Sequence, residues 1–134
     1  VLMIFDKIKL DAADPETKVL LKTDYAEKRL IAAKTLFVQG KNDLAFVTTG
    51  KAHQYLLQAN WETTTIEKGK KYTGLIKEMN QEFILEYENL KQYLTDGQKA
   101  TIDDWTRQLQ QWQNEEKEKQ KVEAVEATQE GQLK

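Results

Sequence analysis

The chain has no cysteine, which excludes disulfides, thiolate metal sites and cysteine nucleophiles together. One proline and six glycines in 134 residues leave few enforced breaks. There is a single histidine, His53, so any system that pairs a nucleophile with an imidazole base must use it. No apolar run approaches the roughly 20 residues that span a bilayer. A basic excess is missing too: residues 1–60 carry nine basic and seven acidic side chains, and residues 61–134 carry eleven and fifteen. Neither half holds a polyphosphate by charge alone, so nucleic acid is disfavoured as a partner.

What is present suits one helical domain. The length falls within the usual ~100–150 residues of a single domain. Hydrophobic residues at 40% and charged residues at 31% allow a modest core under a heavily solvated surface. Leu, Ala, Glu, Gln and Lys dominate, and all favour helix. The sequence opens on Val1 rather than Met, so a leader or anchor would lie upstream of it and membrane contact would pass through a segment outside this chain.

Apolar spacing divides the chain. In Val1–Leu10, the residues Leu2, Ile4, Phe5 and Ile8 share a stripe that predicts a short amphipathic helix or the stub of a longer one. Asp14-Pro15-Glu16 marks a helix start, with a capping aspartate and proline in the first turn. Val19, Ala26, Leu30, Ala33 and Phe37 then recur at helical spacing, with Tyr25, Ile31 and Leu36 widening the stripe, until Gly40. That predicts a helix over 15–39.

A second helix starts near Asn42 or Asp43, with Leu44, Val47, Tyr55 and Ala59 as its expected inner line and Gly50 as a weak point. Between Asn60 and Thr65 the chain either turns, with Thr64 and Glu67 as a capping box, or continues as one bent helix. Ile76, Met79, Phe83, Tyr87, Leu90 and Leu94 form a bundle seam. Thr95-Asp96-Gly97-Gln98 has the form of a capping box, and Ile102, Trp105, Leu109 and Trp112 line the last helix. The expected organisation is a bundle over 1–112 and a charged helical extension over 113–134 that frays near Gly131. The fold class is all-α, an antiparallel bundle of about four to five helices with short loops.

Chemistry is sparse. His53 has no acid at three- or four-residue spacing, so a helical metal pair is missing, and a partly exposed helical histidine is the expected reading. Glu82, Glu86 and Glu88, with Asp103 and Asp104, read as solvated flank charges rather than a catalytic pair. Phe46 to Ala52 lacks the first glycine and the Ser/Thr of a phosphate loop. No catalytic, cofactor or metal residue is therefore expected. An interaction surface is drawn at Lys68, Lys70, Lys71 and Tyr72, the one compact basic cluster, and at Trp61, for which burial under the turn is the favoured reading and exposure as a protein or membrane contact the other.

Ala26-Glu27-Lys28-Arg29-Leu30-Ile31-Ala32-Ala33-Lys34-Thr35-Leu36, followed by Gly40-Lys41 and the helix after Asp43, resembles an uncharacterised bacterial helical domain family. That family's stretch reads Ala-Glu-x-Arg-Leu-x-Glu-Ala-x-x-Leu. The resemblance covers about residues 3–60, with Ala32 standing where the family often has glutamate. It implies a location outside the cytoplasmic membrane and no established activity. Leu94-Thr95-Asp96-Gly97-Gln98 is similar to the Leu-Thr-x-x-Gln element of small helical periplasmic chaperones, which carry it twice where this chain has it once. The expectation is a non-enzymatic, extracytoplasmic helical domain serving protein–protein contact or structure, with an unidentified protein partner. The alternative is a periplasmic holdase. A carboxylate-only enzyme is a further rival, and the residue pattern sets no oligomeric state.

Overall fold

The computed structural model describes the backbone of residues 14–65 and 67–133, and their side chains apart from 67–69 and 130–133. The expected helix in residues 1–10 lies outside that range. Four α-helices run Pro15–Val38 (α1), Asn42–Thr65 (α2), Thr73–Leu90 (α3) and Asp96–Leu133 (α4). Short 3-10 segments at Glu67–Tyr72 and Lys91–Tyr93 join α2 to α3 and α3 to α4. Among the described residues there is no strand, and the expected antiparallel all-α bundle is what the chain forms.

The helix ends follow local chemistry. The Thr17 amide donates to Asp14 Oδ1 at 2.7 Å, with Pro15 in the first turn. At the other end of α1, Gly40 takes φ 78°. Its amide reaches Phe37 O at 3.0 Å, and the Lys41 amide reaches Leu36 O at 2.9 Å, the double closure of a left-handed C-cap. The capping box at α4 is also present: Thr95 N donates to Gln98 Oε1 at 3.0 Å, and Gln98 N donates to Thr95 Oγ1 at 3.2 Å. Residues 42–94 are two helices. Thr63, Thr64 and Thr65 turn their hydroxyls back onto the carbonyls of Asn60 and Trp61. Back-bonding of this kind satisfies carbonyls at a helix end, and Thr64 takes part in closing α2.

The central packing is two repeating seams. Val19, Thr23, Ala26, Leu30, Ala33 and Phe37 on α1 are buried, and so are Ala45, Thr49, Ala52, Leu56, Ala59 and Thr63 on α2. Each set steps by four, three, four, three and four, the spacing that keeps one face inward along a helix pair. Small side chains let the two backbones approach closely, which is why this is the most extensive helix pairing among the described residues. The Thr23 and Thr49 hydroxyls stay satisfied inside it by donating to Leu20 O and Ala45 O.

That geometry corrects the expected inner line of α2. Leu44 and Val47 are 55% and 53% exposed, because the seam runs through Ala45 and Thr49 and carries the larger aliphatics outward. Ile31, expected to widen the α1 stripe, likewise faces outward. The later seams hold as expected: Ile76, Met79, Phe83, Tyr87, Leu90 and Leu94 are buried, as are Ile102, Leu109 and Trp112, with Trp105 partly buried. Helix α2 is central and touches α1, α3 and α4. Helix α4 continues unbroken to Leu133, and its residues 117–129 are all exposed.

Candidate functional site

Two places concentrate chemistry: a polar–aromatic cluster inside the bundle, and the surface around Trp61. The first is built on a second stripe of α2. Phe46, Gly50 and His53 step by four and three, so they share the face turned toward α4. Gly50 leaves that face bare at its middle, and a Cβ there would meet Trp105 Cη2 at 3.4 Å. The indole therefore inserts with its benzo edge toward the Gly50 backbone. It stacks on Phe46 at 5.5 Å and 11° and on His53 at 4.9 Å and 14°.

His53 is only 3% exposed, so the partly exposed histidine expected from sequence is corrected. Its partners come from other helices, where spacing along α2 could not show them. His53 Nδ1 lies 2.7 Å from Tyr87 Oη, and His53 Nε2 lies 2.7 Å from Gln108 Oε1. An amide oxygen only accepts, so Nε2 carries the ring proton and Nδ1 accepts from the tyrosine hydroxyl. Burial holds the imidazole below its ordinary pKa, with the Gln108 bond acting in the opposite direction. Burial also pushes the Tyr87 phenol well above its usual value. The ring is neutral, both nitrogens are occupied, and no carboxylate bonds to either of them. This arrangement fixes the ring proton on Nε2 between two neutral partners.

The acids weighed from sequence are spread over the surface. Glu86 pairs with Lys34 of α1 at 3.1 Å, and Glu82 is exposed. Lys91 bridges Glu88 at 2.9 Å and Asp103 at 2.7 Å, tying the end of α3 to α4, while Asp104 pairs with Arg107 one turn along. Among the described residues, no three His, Asp or Glu side chains are grouped to hold a metal ion. Phe46–Ala52 lies wholly within α2.

The predicted surface divides. Trp61 is 64% exposed on the last turns of α2, which corrects the favoured burial under a turn; it stands beside a crevice formed with Leu57 and Trp112 and edged by Glu115, Glu116 and Lys119 of α4. Lys70 is exposed and lines a neighbouring crevice with Thr63 and Lys119. Lys71 and Tyr72 turn toward α1 instead, where both contact the Glu16 carboxylate, Tyr72 Oη donating at 2.9 Å. They strap the segment between α2 and α3 onto the first turn of α1. The Lys68 side chain is outside the described set.

Sequence reasoning also missed a buried amide pair. Asn60 Nδ2 donates to Asn80 Oδ1 at 2.9 Å, and Asn80 Nδ2 returns a bond to Asn60 Oδ1 at 2.6 Å. Asn80 falls four residues after Ile76 and three before Phe83, a seam spacing that signalled its burial.

These features define a class, an all-α antiparallel bundle with a neutral polar cluster in its core. Compared with known protein families, with curated proteins and with solved structures, the chain matches none.

Proposed function

We propose that this chain is a non-enzymatic helical domain of an extracytoplasmic or envelope protein that works through contact with another protein. The observation that carries this reading is Trp61: a large aromatic left 64% exposed beside the Leu57–Trp112 crevice, of the kind enriched at the centres of protein interfaces. The use of His53 in the core and the dispersal of the carboxylates support the non-enzymatic half. The extracytoplasmic half rests on the helix at Ala26–Leu36; among the described residues, no helix is long and apolar enough to cross a membrane.

The test is site-specific photo-crosslinking in the native cell, with the photoreactive residue at position 61, at position 57, or at the exposed control Gln54. One discrete adduct from 61 and 57 and none from 54 is expected. Equal, diffuse adducts from all three would sink the reading, and protease protection of the chain in spheroplasts would sink the location.

A second reading, a holdase, has its own observation: Val38, Leu44 and Val47 stand exposed around the α1–α2 turn. It requires suppression of client aggregation at several-fold molar excess, lost on changing all three to serine.

A further inference from the structure

The face between α1 and α3 is separate from the Trp61 crevice, and either can fail alone. The two helices run in the same direction. Tyr72, just before α3, bonds to Glu16 at the start of α1, and Lys34 reaches Glu86 near the other end. Between these ties the helices leave an open groove floored by Leu30 and Phe83. Its rims carry Ile31, 58% exposed, and Leu85, 68% exposed. Along the same two helices Leu20 and Leu75, both exposed, precede Ile31 by eleven residues and Leu85 by ten. At 1.5 Å per residue the two apolar steps stand about 16 Å apart. Glu27 and Glu82 line the stretch between them, exposed and in no ion pair among the described residues.

We propose that this groove docks an amphipathic helix of a partner protein, with apolar residues about three turns apart and Lys or Arg between them. The spacing matches two apolar anchors, the unpaired acids match the intervening cations, and a helix laid in an apolar groove is a recurring mode of recognition. The acids also decide against a second copy. Two such faces meeting about a two-fold axis through the groove would bring the Glu27 and Glu82 carboxylates of one copy near those of the other. The exposed end of α4, with Val122 and Val125, carries Glu123 and Glu126 among its apolar residues where cations are needed.

The test titrates the full chain with an amidated eighteen-residue leucine–lysine peptide whose leucines recur at helical spacing, alongside the same peptide with glutamate for lysine. Amide NMR shifts centred on Ile31 and Leu85 are expected, with binding weakened about tenfold or more by Ile31→Asp or Leu85→Asp and abolished by Glu27→Lys with Glu82→Lys. All four positions are exposed, so the variants keep the fold, which circular dichroism checks. Shifts centred elsewhere, equal binding of the glutamate peptide, indifference to the substitutions, or no binding at millimolar peptide would each overturn the proposal. A dimer by sedimentation that Leu85→Asp dissociates would assign the groove to a second copy instead and overturn it equally.

Discussion

Asn60 and Asn80 exchange two amide hydrogen bonds across the α2–α3 interface, and Asn60 Nδ2 additionally reaches Leu56 O at 2.7 Å. Both side chains are buried. A buried amide pair fixes which residues face each other, because a slip along either helix strands both amides. Replacing one asparagine by leucine is therefore expected to cost about 1–3 kcal/mol, the penalty of an unsatisfied buried group. Replacing both should recover much of that loss. Urea unfolding of the two single variants and the double measures the coupling; additive losses would show that the pair is not a unit.

The His53 cluster predicts a pH response. The folded-state pKa is depressed by burial, so the folded protein binds the proton more weakly than the unfolded chain does. The stability this confers is complete above the unfolded value near 6.5. It falls as pH drops below that value and levels off once the folded pKa is passed. Unfolding free energy should decline between pH 7.5 and 5, and His53→Phe should flatten that decline while removing two hydrogen bonds. An unchanged slope in the variant would place the response in other groups.

Gly50 makes a prediction of opposite sign. Alanine is favoured over glycine inside a helix by about 1 kcal/mol, and its Cβ would meet Trp105 Cη2 at 3.4 Å, an ordinary contact. Gly50→Ala should raise the melting temperature, whereas Gly50→Leu should lower it by lifting the indole off His53. Loss of stability in both variants would mean that the indole tolerates nothing beneath it.

Gly40 reverses that logic. At φ 78°, a side chain adds strain of about 1–2 kcal/mol even though nothing lies within 4 Å of its Cβ position. Gly40→Ala should destabilise despite the open space, as thermal melts will show.

Most of the fold was legible because helix ends and seams are local: Asp14, Gly40, Thr95 and the Ile76–Leu94 repeat behave as their spacing says. The α2 inner line misled because hydrophobicity points to Leu44 and Val47, while close packing against α1 selects Ala45 and Thr49. The His53 cluster was illegible for another reason, since Tyr87 and Gln108 lie 34 and 55 residues away. Only Phe46, Gly50 and His53 sharing one stripe hinted that an aromatic ring from another helix fits between them. Trp61 misled because it follows Asn60, a residue that suggests a turn to bury it, whereas the helix continues to Thr65 with Asn60 inside and the indole outside.

The unbroken course of α4 has a mechanical meaning. Its 38 residues make a rod about 57 Å long, clamped near its start by Trp105 and along its middle by Leu109 and Trp112. No proline interrupts the helix between that clamp and Val125, so the exposed turns and the indole stacked on His53 belong to one continuous element.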